Sequence, residues 1–300
     1  MIKRDYHIHT AYSDDCIIPM ETMVLSAIEK GMEEIALTDH VDYDYPDRDL
    51  PFVVNYDLYS QDYYALKEKY QDKINILFGV EIGLQPHLGS KIEELLAKYP
   101  FDFAIGSIHT VKRHDIYARR FWDNKSKVKG YTEYFEDVLE CAKMHSCYRV
   151  FGHLDYVNRY GGFDDKTLYY KDYADIIDEI LKTIIKGERG IEINTSGYRY
   201  GLNQTHPQRD ILKRYKELGG EIITLGSDSH KAEDISADFD IAEQMLKDLG
   251  IHYLTKFSKL KPEMYKIVKK ERLNELLENA AKIIVEKHLS IMPPKDKPTT

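Results

Sequence analysis

The sequence predicts an α/β fold built on a parallel sheet, and three observations carry that prediction. Seven short apolar or β-branched runs alternate with seven helical segments along 300 residues. No G-x-G-x-x-G or G-x-x-x-x-G-K follows any run, which disfavours the open, nucleotide-binding form of such a sheet. Six of the seven runs finish on imidazole or carboxylate side chains. In a closed parallel barrel those ends share one rim, where active sites are built.

The strands are expected at 2–9, 33–39, 74–83, 101–109, 148–154, 190–195 and 220–227. The first helical segment, PMETMVLSAIEKGM, has Pro19 near its start and Gly31 near its end, the usual punctuation of a helix. YSQDYYALKEKYQDK, SKIEELLAKYP, GYTEYFEDVLECAKMHS, YKDYADIIDEILKTIIKGERG, HPQRDILKRYKELGG and DFDIAEQMLKDLG follow in turn. In the fifth, Ile176, Ile180, Thr183 and Ile184 trace one face, widened by Ile177 and Leu181. With no internal repeat and no linker, residues 1–290 read as a single domain. The Pro/Lys-rich end, 291–300, reads as a disordered tail.

Composition bounds the partners. A hydrophobic content of 43% suffices for a large core. The net charge of −9 argues against general nucleic-acid affinity, which needs a basic face. There is no apolar run long enough to span a bilayer, and the opening MIKRDYHIHT reads as a strand rather than a signal peptide. Cys16, Cys141 and Cys147 form no C-x-x-C pair. They are expected to be free thiols in a reducing cytoplasm.

The strand ends carry the chemistry. They are His7-Ile8-His9, Thr38-Asp39-His40, Glu81 in FGVEIG, Ser107-Ile108-His109, Gly152-His153-Leu154-Asp155 and Asp228-Ser229-His230. His7 and His9 are two apart, as are Asp228 and His230, so in a strand each pair faces the same side. Imidazole and carboxylate without thiolate suit Zn, Mn or Fe(II) better than copper(I) or an iron–sulfur cluster. Six histidines, Glu81 and Asp228 exceed what one catalytic ion needs, so two or three divalent ions are expected. Several cations at one site neutralise phosphate and lower the pKa of bound water, chemistry suited to phosphoester hydrolysis. Asp14 and Asp15, in the loop after the first strand, serve equally well as turn formers or as ligands. His87, His114, His145, His252 and His288 match no ligand pairing and read as structural.

At these residues the chain resembles the polymerase and histidinol phosphatase (PHP) superfamily. The matching motifs are H-x-H with a trailing YSD (His7, His9, Asp14), TDH ending at His40, Glu81, SIH ending at His109, GH-x-D from Gly152 to Asp155, and SDSH ending at His230. They span about the first 230 residues. Within the superfamily, the length and the NTSGYRYG stretch look most like histidinol-phosphate phosphatases. The resemblance implies a distorted TIM-like barrel of seven parallel strands holding three metals. One metal would take His7, His9, Glu81 and Asp228; a second Glu81, His109 and His153; a third Asp14, His40 and His230. Asp15 stands beside Asp14, so this loop ligand is open by one residue. The implied reaction is in-line attack of an activated water on phosphorus, turning L-histidinol phosphate into L-histidinol and phosphate in histidine biosynthesis. Asp39, Asp228 and His206 are the candidates for proton handling at the leaving alkoxide. Arg159 and Arg199, just beyond two strand ends, are the candidates for gripping phosphate, ahead of Arg119 and Arg120. The alternatives are a PHP phosphoesterase acting on another small ester or on nucleotides, and a non-catalytic metal-binding module.

Overall fold

The structure, a computed structural model, describes residues 2–46 and 52–267. Seven strands pair in chain order, all parallel: β1 (Arg4–Ile8), β2 (Glu34–Leu37), β3 (Asn75–Gly83), β4 (Phe103–Ser107), β5 (Val150–Phe151), β6 (Gly190–Asn194) and β7 (Ile223–Gly226). The ring closes just beyond β1 and β7. There Ile8 bridges Ser229, the His9 amide donates to the Ser229 carbonyl at 2.9 Å and the Ser229 amide to the His7 carbonyl at 3.2 Å. The expected barrel is present. The expected tail, 291–300, lies outside the described residues.

Among the described residues, and apart from two single-turn helices at Arg119–Trp122 and Ser196–Arg199, seven helices cover the strands: α1 (Met20–Glu29), α2 (Tyr56–Tyr70), α3 (Gly89–Lys98), α4 (Lys127–Met144), α5 (Ala174–Lys186), α6 (Arg209–Glu217) and α7 (Phe239–Asp248). Their apolar stripes explain the arrangement. On α5, Ile177, Ile180, Leu181 and Ile184 are buried, each stabilising by roughly 1.5–3 kcal/mol. The stripe is rotated from the expected face: Thr183 instead turns its hydroxyl to the Glu179 carbonyl at 2.7 Å. Among the described residues no helix is long and apolar enough to cross a membrane. The three cysteines are free thiols.

Two strands depart from expectation in ways that shape the site. The second run does not end at residue 39. It stops at Leu37 and restarts as a short strand, His40–Asp42, pairing with β3 so that His40 stands opposite Glu81. β5 is only two residues long because the backbone turns sharply at His153, with φ +23°.

Of the short elements absent from the sequence reading, one closes the barrel. Tyr253–Ser258 and Lys261–Lys266 form an antiparallel hairpin. Its two-residue turn places Lys259 and Leu260 at φ +50° and +61°, a turn usually given to Asn-Gly. The hairpin closes the barrel end where the strands begin. Phe257 enters a cluster with Tyr6, Ala36, Leu77, Phe103, Ile105 and Val150. Its amide donates to the Tyr6 hydroxyl at 3.0 Å, and the Ile223 amide donates to Thr255 at 3.2 Å.

β1 carries a bulge. Asp5 pairs with Ile35 and Ile8 with Leu37, so three residue steps on β1 span two on β2. Tyr6 therefore packs edge-on against Phe103, ring centres 4.9 Å apart, while its neighbour His7 meets Glu81 and Glu192 at the opposite end.

Candidate metal centre

Glu81, near the C-terminal end of β3, is buried at the centre of the rim. Its Oε2 lies 3.1 Å from His7 Nε2, 3.5 Å from His9 Nε2 and 3.1 Å from His40 Nδ1. Its Oε1 lies 3.4 Å from His109 Nε2, 2.9 Å from His153 Nε2 and 2.6 Å from the Ser107 hydroxyl. Asp228 Oδ1 sits 3.5 Å from His9 Nε2, 3.6 Å from His230 Nδ1 and 3.8 Å from His7 Nε2. The imidazoles stack, with His9 centred 4.3 Å from His40 and 4.1 Å from His230. Four overlapping trios place their donor atoms within 4.8 Å of one another: His9, His40, His230; His7, His9, Glu81; His40, Asp42, His109; and Glu81, His109, His153.

The donor set fits metal ions on evidence of its own. Nε2 of His7 and of His9 and Nδ1 of His40 and of His153 are buried without hydrogen-bond partners. The opposite nitrogens of His7 and His9 are held from behind, by Glu192 at 2.6 Å and Ser13 at 3.2 Å. One ring nitrogen tied and the other bare toward the centre is how an imidazole is oriented for a metal. Asp42 holds His109 Nδ1 at 2.7 Å, and Glu192 also accepts the His153 amide at 3.0 Å. Gly83 and Gly226 leave the room: a Cβ on the first would overlap Asp42, and on the second Glu192 and His7.

The electrostatics follow from this crowding. Burial opposes charge on Glu81, but His7, His40 and His109 overcome it and hold the carboxyl well below its usual range. Asp228 is likewise held ionised against burial, by His7, His9, Arg159 and His230. Burial, then His230 and His40, push His9 down to about 3. Against burial, carboxylates raise His7 and His40 well above the usual range, and Asp42 with Glu81 push His109 up to about 10. Six imidazoles this close cannot all be protonated, so protons gather on rings that have a carboxylate partner.

His7, His9, His40, Glu81, His109, His153, Asp228 and His230 thus come together. Asp14 does not: both loop acids are exposed, but Asp15 is the one that reaches the cluster, Oδ2 3.2 Å from His230 and 3.5 Å from His40. Of the two loop acids left open by the sequence, Asp15 therefore lies beside the imidazoles. Asp39 is fully buried off the cavity, spending both oxygens on the amide and hydroxyl of Thr10 and on Ser13, so it braces the loop after β1 and touches no reacting group. His206 also misses the cavity, since one nitrogen meets Asp155 and the other Arg159. Of the three proton-handling candidates only Asp228 reaches the cavity, and it is ionised. Its φ of +55° is held by Arg199, which donates to the Ser227 and Asp228 carbonyls at 2.6 and 2.9 Å. Arg199 therefore clamps the loop and does not line the cavity. Arg159 does line it, buried between the rings of Tyr156 and Tyr200 at 4.6 and 4.3 Å. Arg119 and Arg120 are exposed and outside it. The cavity measures about 410 Å³, and Tyr45, Phe52, Tyr117, Tyr156, Tyr160 and Tyr200 add aromatic walls.

The sequence reading missed Asp42 and Glu192. Each had a signal: Asp42 lies two residues past His40, and Glu192 is the lone acid inside the apolar run GIEIN.

A parallel barrel whose strand ends gather imidazoles around a buried carboxylate defines a metal-binding hydrolase scaffold. The PHP domain model matches residues 5–196, and the chain belongs to that family. It is 35% identical to the histidinol-phosphatase of Lactococcus lactis over 262 residues, 87% of this chain and 96% of that protein. A probable histidinol-phosphatase of Clostridium acetobutylicum is 34% identical over 82% of this chain and 94% of its own length. A crystal structure of the Lactococcus lactis histidinol phosphate phosphatase, complexed with zinc, L-histidinol and phosphate, matches with TM-score 0.82 and 34% identity over 87% of this chain and 98% of that one.

Proposed function

We propose that this protein is a metal-dependent phosphomonoesterase that hydrolyses L-histidinol phosphate to L-histidinol and phosphate, the dephosphorylation of histidine biosynthesis. The observation that carries this reading is that the buried guanidinium of Arg159 and the imidazole–carboxylate cluster open onto one cavity of about 410 Å³. That volume suits a small ester. The two relatives from Lactococcus and Clostridium are named for this activity, and the Lactococcus structure holds both products with zinc.

Two or three divalent transition-metal ions would be held by His7, His9, Glu81 and Asp228, by Glu81, His109 and His153, and by Asp15, His40 and His230. When bound, they supply Lewis-acid stabilisation of phosphate and a water acidic enough to act as nucleophile near neutral pH. The chain does the rest. Glu192, Asp42 and Ser13 aim the imidazoles. Arg159 donates to the phosphoryl oxygens, in the bound ester and in the phosphate product alike. Asp228, ionised and on the cavity wall, is a proton acceptor. The aromatic wall excludes water around the organic part of the ester.

Purified, metal-loaded protein assayed on L-histidinol phosphate, nucleoside monophosphates and single-stranded DNA tests the reading. Turnover is expected to favour L-histidinol phosphate strongly. A higher kcat/KM on a nucleotide or on DNA would overturn it.

A further inference from the structure

Arg159 is built into the cavity wall from behind. Its Nε can only donate, and it lies 3.0 Å from His206 Nε2. That nitrogen must therefore accept and carries no proton. The imidazole's proton then sits on Nδ1, 2.5 Å from Asp155 Oδ1. The remaining carboxylate oxygen, Oδ2, accepts the Gln208 backbone N–H at 2.8 Å. Asp155 and His206 are completely buried and neither lines the cavity, so neither touches substrate. Burial, aided by Arg159 and opposed by Asp155, lowers the pKa of His206 and keeps the ring neutral. On its far side the guanidinium meets Ser196 and, at 3.4 Å, Asp228 Oδ2.

We propose that Asp155 and His206 are positioning residues that orient Arg159 for phosphate, and that Asp155 acts by selecting the imidazole tautomer. This rests on the phosphatase reading above.

The consequence is sharpest for the isosteric change Asp155→Asn. The Gln208 N–H still requires an acceptor, so the amide oxygen stays there and the NH₂ turns to His206. Nδ1 must then accept, the proton moves to Nε2, and two donors meet head-on at Arg159 Nε. A change that preserves shape thus removes the acceptor of the Nε–H and leaves the guanidinium held on its far side alone, by Ser196 and Asp228. The same tautomer logic governs an Asp–His pair wherever the far nitrogen has a fixed duty.

The test uses the metal-loaded full chain. Steady-state kinetics on L-histidinol phosphate and inhibition by inorganic phosphate are measured for Asp155→Asn, Arg159→Ala and the double variant, with elemental analysis in parallel. Asp155→Asn is expected to retain its metals and to raise both KM and the phosphate inhibition constant by roughly ten- to a hundredfold, with a smaller change in kcat. It should add nothing in the Arg159→Ala background. Imidazole ¹⁵N NMR, assigned by the loss of signal in His206→Gln, should find the proton on Nδ1 in the wild type and on Nε2 in Asp155→Asn. A wild-type proton on Nε2, or additive effects of the two substitutions, would overturn the proposal. Should Asp155→Asn not fold, His206→Gln can still donate to Asp155 and accept from Arg159. It should keep KM within a few fold, unlike His206→Ala, and equal losses in the two would overturn it. The phosphatase reading fails separately, if the wild type turns over no phosphate ester, and the NMR result does not depend on it.

Discussion

The two ends of the barrel are made by the same strands and obey opposite rules. Where the strands begin, Tyr6, Leu77, Phe103, Ile105 and Val150 close around Phe257, and hydrogen bonds from the hairpin seal the edge. Where they finish, six imidazoles and several carboxylates are pressed together, some with nitrogens left bare. The first end stabilises the fold through apolar burial. The second costs stability until cations arrive. A site is recognised here by what it withholds from the core.

The largest expected effect breaks the finishing end alone. Glu81→Ala should reduce activity on the order of a thousandfold or more and lower metal content, because one carboxylate serves two trios. Elemental analysis and kinetics check this. Near-normal turnover with full metal would sever Glu81 from its central role.

Phe257→Ala breaks the other end. It should cost about 3–5 kcal/mol in urea unfolding of the metal-free protein. The folded fraction should keep its kcat. A loss of kcat without a loss of stability would show that the two ends are not separable.

The pH dependence of stability sharpens the contrast. In the metal-free protein His109 has its pKa pushed up to about 10, and His7 and His40 are raised as well. Protonation therefore favours the folded state. That stabilisation is complete below the unfolded histidine value of about 6.5 and is lost as pH rises toward about 10. Zinc needs these rings deprotonated, so its stabilising effect should grow with pH. Thermal melts should fall from pH 6.5 to 9 without metal and recover with zinc. Parallel curves would contradict the assignment, and Phe257→Ala should shift both curves without changing their slopes.

The smallest effect belongs to Tyr6→Phe. Its hydroxyl donates to Glu34 at 2.5 Å and accepts the Phe257 amide at 3.0 Å. Removing it should cost about 1 kcal/mol or somewhat more, with unchanged kinetics. A change in metal affinity would mean that the ends communicate along β1.

Much of this was legible in the chain. The strand order followed from alternation, and the eight central donors from where the apolar runs stop, because parallel strands deliver their ends to one rim. What escaped depended on contacts between distant residues. Glu192 meets His7 across 185 positions, and nothing near either residue announces it. Arg159 and Arg199 looked alike as rim arginines until the carbonyls of Ser227 and Asp228 claimed the second. Asp14 and Asp15 are adjacent loop acids, and only the closure of the loop on Ser13 and Asp39 decides which turns inward. The hairpin over 253–266 has non-glycine residues at its left-handed turn, so its usual signal is missing.

The bulge in β1 turns a short stretch of chain into a ruler. Between Asp5 and Ile8 the strand must reach the aromatic plug with Tyr6 and the metal cluster with His7, using one extra residue against β2. Lengthening or shortening that stretch by a single residue would hand one layer's side chain to the other. Insertions should thus be tolerated in the loops that join helices to the next strand, away from the metal site, and refused here. The spacing between those two side chains is a dimension of the machine, as fixed as a bond length is to a molecule.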